Sequence, residues 1–504
     1  MFLIGIEARK IQRYVLASPR LRDMVGASEL VNQACESLPR QLMASVGIPD
    51  DGFRFGAAGR SWIVADSRSA AETFVRLWPV VVSLHAPGLD MPAACAEYDG
   101  TPDREHAAIE AVQESLRRRQ SWPSLETGEY APLVERSPRT GGEAVDSGAR
   151  GDELVDAVTL RQETAGRHPA AGGLAARLPN GVRFPTEIDR LVNKGGGIAV
   201  VHADGNGVGA VFSTRRESAR NRGDSEVAAI AEFSRQMREA NESAVGQAME
   251  SVILPARDGD EVPFRPLVVG GDDVTVLLRS DLAIPFVRAY VEAFEAATKK
   301  NLHEGTITVC AGVVVVRPNH PFRQAYALAE SLCEHGKGVG RERVESLSGD
   351  GKGGGKKHYG EKQPSLLTFH RLNADSSVNY DEILKTELKG RPAPGRTGNA
   401  VRLTAGPYSL HPHDLFPSLE ALGKLADALD QLPQGPRRRL ISEMAFGSDD
   451  IALAWSRARA LDTKLVRDVE ASLEALHGSG EPVCKGVTPL LDAHNLLLFR
   501  SLRA

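Results

Sequence analysis

The run VVGGDDVTVL, from Val268 to Leu277, sets two glycines and two adjacent carboxylates between apolar β-formers. The spacing predicts a β-hairpin, with Leu267, Val268 and Val269 running in and Val274, Thr275, Val276 and Leu277 running out. Gly270 and Gly271 let the backbone turn tightly and admit a ligand close to it, which leaves Asp272 and Asp273 at the tip. Two like charges there repel unless a cation sits beside them. Hard divalent ions such as Mg²⁺ or Mn²⁺ take oxygen ligands and keep substrate phosphates in their shell, so the hairpin reads first as a phosphate-handling site. An ordinary solvated turn uses the same residue types.

A second element weighs against the ordinary turn. Residues Gly197 to Val201 form a short apolar strand that ends in HADGNGVGAVF, with Asp204 just past the strand and a glycine-rich bend at Gly205, Asn206 and Gly207. One carboxylate at a strand end facing a pair on a neighbouring hairpin is the minimum for holding one or two Mg²⁺ ions. Gly205, Gly207 and Ala210 also satisfy the G-x-G-x-x-A spacing of a dinucleotide-binding turn. That motif requires a second strand roughly 20 residues on, ending in an acid. Here Asp224 to Met249 is instead a long polar stretch with apolar residues at helical spacing, which rejects it.

At 504 residues the chain has length for roughly three domains. With 61 basic and 66 acidic residues, no global charge advertises nucleic-acid binding, and any such contact must be local. Five cysteines without a C-x-x-C pair predict neither a disulfide framework nor a zinc ribbon. A cytoplasmic location fits that usage: MFLIGIEARKIQ is too short an apolar run for a signal peptide, and no segment has the length of a membrane span.

The chain also reads as the same unit twice. The first copy runs FLIGIEA as a strand, Ile11 to Ala34 as a helix, FRFGAAGRSWIVADS as a hairpin, Ser69 to Val82 as a helix, and PAACAEY as a strand. The second runs IAVVHAD, the long polar helix, FRPLVVGGDDVTVLLRS, Ala283 to Lys299, then TITVCAGVVVV. FVRLW at Phe74 answers FVRAY at Phe286, and Cys95-Ala96 answers Cys310-Ala311. This order predicts an α+β fold with two ferredoxin-like domains, each an antiparallel sheet with helices on one face. Matching the hairpins back from Ser67 and Ser280 sets Gly59 against Asp272, Arg60 against Asp273 and Glu7 against Asp204. The first copy has thus lost the carboxylate pair, and chemistry is expected in the second.

HADGNGVG followed by VVGGDDVTVLL, then HPFRQAYALAESLCEHGKG, resembles the catalytic palm of the large subunit of type III CRISPR effector complexes. These CRISPR polymerases are related to GGDEF diguanylate cyclases and adenylyl cyclases. IEARKIQRYVLASPRLRDMVGASELV is similar to the start of that family's degenerate first palm, and LTAGPYSLHPHDL to the segment leading into its helical C-terminal domain. The resemblance implies conversion of ATP or another nucleoside triphosphate into 3′–5′ cyclic oligonucleotides or cyclic dinucleotides for antiviral signalling. By position it makes Asp204, Asp272 and Asp273 metal ligands or, for Asp273, a close supporter. It lays the nucleotide against Gly270 and Gly271, and brings Lys337, after the helix with Glu330, to the triphosphate, where the first copy has Ser121. A lysine at a helix C-terminus also simply complements the dipole.

Three departures qualify the likeness. The first palm strand begins at Phe2, so a form without the N-terminal HD nuclease is expected; His413-Asp414 lacks the other ligands of such a site. ERSPRTGGEAV stands where the family often carries zinc-binding cysteines, so zinc is not expected. The diguanylate cyclase signature has Glu-Phe after the hairpin acid and here Asp273-Val274 follows, which disfavours cyclic di-GMP.

The expected division is 1–120 a degenerate palm, 121–194 a loosely structured connector, 195–347 the catalytic palm, 348–365 a flexible Gly/Lys loop, and 366–504 a mainly helical domain. The connector shows little periodicity apart from an apolar stretch at Leu154 to Leu160, and SGDGKGGGKKHYGEK fails the spacing of a phosphate loop. Arg437, Arg438 and Arg439 read as a solvated helix start before an RNA contact. Two nucleotides must bind at once, in a cleft between the copies or across a homodimer. The rival reading is a scaffold subunit of an RNA-guided complex that binds nucleotide without turnover; a template-directed polymerase lacks the long basic groove a duplex needs.

Overall fold

The computed structural model describes residues 1–57, 59–120, 134–148, 151, 153–167, 173–192, 196–302, 305–347, 363–372, 376–392, 398–461 and 463–501. In the first copy, β1 (Phe2–Glu7), β2 (Phe53–Ala57), β3 (Arg60–Ala65) and β4 (Ala93–Glu97) form an antiparallel sheet in the order β2-β3-β1-β4, the ferredoxin-like order. The expected single helix over 11–34 is broken into α1 (Ile11–Val15) and α2 (Leu21–Cys35), with α3 (Ser37–Val46) following. Pro19 lies in the break, and the residue before a proline is driven out of helical backbone. Helix α4 (Arg68–His85) buries Phe74 and Trp78, stacked at 5.6 Å, against one face of the sheet. Helix α5 (Pro102–Gln120) covers the other face with Ile109, Val112 and Leu116 against Leu3, Trp62 and Val64. This sheet therefore has helices on both faces, because alternate β1 residues are apolar: Leu3 points to one core, Ile4 and Ile6 to the other.

Part of the connector is built structure. β5 (Ala144–Ser147) and β6 (Leu154–Asp156) form a hairpin, and α6 (Ala157–Arg167) packs against α2. The two helices touch through backbone. A Cβ on Gly26 would lie 1.7 Å from the Gln162 carbonyl oxygen, and one on Gly166 would lie 2.1 Å from that of Arg22. Arg139, on the hairpin side, bonds Asp23 at 2.9 Å and also Glu153. The order comes from close approach and buried ion pairs, which leave no apolar periodicity to read.

In the second copy β7 (Ile198–Gly205), α7 (Val208–Arg222), α8 (Glu226–Ala248), β8 (Phe264–Gly270), β9 (Asp273–Arg279), α9 (Ala283–Asn301) and β10 (Val309–Val316) repeat the plan, with β8-β9-β7-β10 matching the first sheet. The long polar segment is the single helix α8, set apart from α7 because Gly223 takes φ 74 and Ser225 caps α8 by accepting from Ala228 N at 3.0 Å. Helix α10 (Phe322–Leu347) lies over β10 and β7. β11 (Leu366–Arg371) then pairs in parallel with β10, and Tyr408–Ser409 pairs with β11. The second sheet thus continues past the expected boundary at 366. LLTFHR is buried on both faces, so it shows no period-2 alternation.

Strand register tests the internal alignment. Glu7 pairs with Arg60 as Asp204 pairs with Asp273, so those positions are equivalent. The cysteines are not: Cys95 lies opposite Ile4, whereas Cys310 lies opposite Asp204.

α11 (Tyr380–Thr386) precedes the helical region of α12 (Leu419–Gln431), α13 (Gln434–Glu443), α14 (Ser448–Leu461), α15 (Thr463–His477) and α16 (Leu490–Ser501). Leu422, Leu425 and Leu429 of α12 share a core with Val466 and Leu473 of α15 and Leu496 of α16. Phe499 meets Phe369 of β11 edge-on at 5.6 Å, which docks this region on the second sheet. Glu105 of α5 joins the copies by accepting from Ser225 Oγ at 3.0 Å and Val227 N at 3.2 Å at the start of α8. The Gly/Lys segment over 348–362 and Ser121 lie outside the described residues.

Candidate active site

The β8–β9 turn is tight because Gly271 takes φ 60, a left-handed conformation that a side chain strains. Asp204 at the end of β7 lies directly across from Asp273 at the start of β9. Facing residues of this kind hold their Cβ atoms roughly 5 Å apart, and like charges there are destabilising. Asp272 reaches the same place from the turn. A Cβ on Gly205 would come within 3.0 Å of the Asp272 Cβ and 3.3 Å of its Oδ2, so only glycine at 205 leaves room for that carboxylate. The predicted acids, Asp204, Asp272 and Asp273, are thus brought together.

Their electrostatics show a deficit of positive charge. Partial burial, then the nearby Asp204, push the Asp272 carboxyl up to about 7. Burial and Asp204 do the same to Asp273, also to about 7. Lys337, from the middle of α10, reaches back to bond Asp204 and, at 3.2 Å, the Gly205 carbonyl. Burial opposes the charge on Lys337, but Asp204 outweighs it and holds the ammonium above its ordinary value. The helix runs on beyond Lys337 to Leu347, so the dipole at a helix end does not account for this lysine.

The supports beneath the hairpin were not singled out in the sequence. Asn241, fully buried on α8, donates to the Gly271 carbonyl at 3.0 Å and the Asp273 carbonyl at 3.2 Å, and its Oδ1 accepts from Tyr290 at 3.1 Å. His202 is buried under β9, with Nδ1 3.2 Å from Thr275 Oγ1 and 3.5 Å from Asp273 Oδ1; burial lowers its pKa and favours the neutral ring. Asn206 is also buried, and its side chain is taken up by Thr308 at 2.9 Å and Gln363 at 3.4 Å. It holds the turn after β7 rather than facing a ligand. Gly207, with φ 72, starts α7.

In the first copy the corresponding place holds an ion pair, Arg60 to Glu7 at 2.6 Å. Both residues line a cleft of about 660 Å³ that also takes in Gly271 and Asp272 of the second copy, with Phe55, Phe212 and Phe233 on its walls. One cleft therefore joins the degenerate hairpin to the acidic one.

The residues suit a divalent cation completed by substrate. Asp273 Oδ1 is buried without a hydrogen-bond partner, and burial together with Asp204 raises the pKa of the Asp272 and Asp273 carboxyls. Among the described residues no group of three or more His, Cys, Asp and Glu side chains forms a ready cage. Mg²⁺ needs none, since one or two carboxylates with water and phosphate oxygens fill its shell. Asp204 and Asp272 would hold it, with Asp273 behind them.

Residues 197–345 match the model of the Cas10/Cmr2 second palm domain. No curated protein matches in sequence. The fold is similar to a crystal structure of a Csm1-Csm4 cassette in complex with cA4, at TM-score 0.55 and 13% identity over 99% of this chain and 70% of that one. It is also similar to the cassette in complex with pppApA, at TM-score 0.53 and 12% identity over 100% and 69% of the two chains. Among the described residues no helix is long and apolar enough to cross a membrane.

Proposed function

With residues 197–345 a second palm domain of the Cas10/Cmr2 family, we propose that the chain is a divalent-metal-dependent nucleotidyltransferase. It joins nucleoside triphosphates, ATP first among them, into 3′–5′ linked cyclic oligonucleotides for antiviral signalling of the type III CRISPR kind. The observation that carries this reading is the convergence of Asp204, Asp272 and Asp273 at the edge of a cleft shared by both copies. Complexes of similar folds with cA4 and pppApA support the substrate class, and the cassette in which they occur supports docking to other effector subunits.

Phosphoryl chemistry of this kind needs positioning and charge neutralisation more than covalent help from the protein. Bound Mg²⁺ or Mn²⁺ would supply a lowered pKa for the attacking ribose hydroxyl and a counter-charge for the leaving pyrophosphate. Asp204 and Asp272 would hold that ion, and Asn241 holds the hairpin backbone so that both carboxylates keep their place. Lys337, bonded to Asp204, would offer its ammonium to the triphosphate. On the opposite wall Arg60 and Arg117 of the first copy receive the phosphates of the second nucleotide, with Phe55 and Phe212 beside the bases.

The test incubates the purified chain with each of the four triphosphates and Mg²⁺ or Mn²⁺, with and without RNA, and identifies products by mass spectrometry. Cyclic oligonucleotides from at least one triphosphate are expected. Tight ATP binding with no product under any condition would leave a nucleotide-binding scaffold instead.

A further inference from the structure

A second cavity, of about 1110 Å³, shares no lining residue with the cleft between the copies. Its walls are α2, residues of the 173–186 stretch, and β8 from Arg265 to Gly270. Arg265 is only 6% exposed. Of its five N–H donors, those on Nη1 make one long bond, to the Pro185 carbonyl at 3.5 Å, while Nε is buried with no partner. The guanidinium stands 5.6 Å from the Phe184 ring. Burial drags its pKa down to about 10, and among the described residues no carboxylate is placed to oppose the fall. Comparably buried guanidiniums here are treated otherwise: Arg139 bonds Asp23 and Glu153, and Arg279 bonds Asp281 at 2.6 Å. An uncompensated buried charge is among the costliest arrangements a fold can keep, and its ordinary remedy is an anion.

We propose that this cavity binds a phosphomonoester of about nucleotide size, with the Arg265 guanidinium gripping the phosphate. A planar fork of donors matches phosphate oxygens in pairs. Glu29, Glu36 and Glu242 share the walls with Arg167, Arg183 and Arg238, a balance that leaves Arg265 as the surplus charge and suits one phosphate on an uncharged body. Leu174, Leu178 and Phe184 supply apolar surface for that body. The site is separate from the nucleotidyl-transfer reading, and nothing in it depends on that chemistry. Since Gly270 belongs both to this cavity and to the catalytic hairpin, a ligand here rests against the back of the active site.

The experiment follows thermal unfolding of the full chain in EDTA, which removes divalent ions from the acidic hairpin, during titration with inorganic phosphate, adenosine 5′-monophosphate and, as controls, adenosine and chloride at equal ionic strength. Phosphate should raise the melting temperature above the chloride control, and the monophosphate should do so at lower concentration. In Arg265→Met the ligand-free protein should melt no lower than the native one, because an unpaired buried charge is gone. Its affinity for the monophosphate should fall by about tenfold or more, as loss of a charge-assisted bond requires. Hydrogen–deuterium exchange on the native protein gives a readout that needs no variant: protection by the monophosphate should appear at 173–186 and 262–270. No response beyond chloride, an undiminished response in Arg265→Met, or protection at 202–208 and 271–276 alone would overturn the proposal.

Discussion

Replacing Asp272 with Asn should stabilise the metal-free protein at pH 8 and do little at pH 5. Its carboxyl is pushed from 3.8 to about 7 by burial and by Asp204. A group whose folded pKa lies above the unfolded one contributes its stability below pH 4, and that stability is lost as pH rises through about 7. At pH 8 the native protein therefore carries unrelieved repulsion that the amide removes. A rise from 3.8 to about 7 corresponds to roughly 4 kcal/mol for an isolated group. Water reaching this half-buried turn screens the charges and leaves roughly 2 kcal/mol. The assay is urea unfolding in EDTA at pH 5 and pH 8, repeated with Mg²⁺. The Asn variant should have the higher midpoint at pH 8, a gap that narrows at pH 5 and reverses with Mg²⁺, which only the native acids bind well. An equal gap at both pH values without metal would refute the reasoning.

Removing the support beneath the hairpin should cost both stability and rate: Asn241→Leu leaves the Gly271 and Asp273 carbonyls without their donor, a loss of about 1–3 kcal/mol. Thermal unfolding and product formation should fall together, and a fully active variant would show that the hairpin holds itself. Arg60→Ala breaks an exposed pair, so stability should change by less than about 1 kcal/mol. Steady-state kinetics should show a higher KM for triphosphate with kcat little changed; unaltered kinetics would remove the first copy from substrate binding. Gly26→Ala should lower the melting temperature sharply, because the new Cβ meets the Gln162 carbonyl at 1.7 Å, with overpacking of this kind costing about 1–3 kcal/mol. An unchanged melting temperature would mean that α6 is not held on α2.

Where side-chain pattern fixes structure, the sequence was informative. The apolar β-formers on either side of GGDD and the glycine bend after Asp204 led to the hairpin and the convergence of Asp204 with Asp273, and the alignment of Glu7 with Asp204 and Arg60 with Asp273 agrees with the strand registers. What escaped rests on forces without a one-dimensional signature. Helix α6 is held by glycine-to-backbone contact and by Arg139, not by an apolar stripe. β11 is buried on both faces, so it shows no alternation to separate it from the helical region that follows. Asn241 differs from its exposed helical neighbours only by sharing a stripe with Met237, Ala244 and Ala248, and that stripe is legible only once α8 is placed. Cys95 and Cys310 were matched by residue type, while pairing registers are set by the sheet.

The central claim is that acids from two strand ends act together on triphosphates. Its most direct measurement compares product formed from ATP and Mg²⁺ by the native chain and by Asp272→Ala/Asp273→Ala, quantified by mass spectrometry, with circular dichroism confirming that both are folded. The account predicts a cyclic oligoadenylate from the native protein and none from the variant. Equal product from both would contradict it.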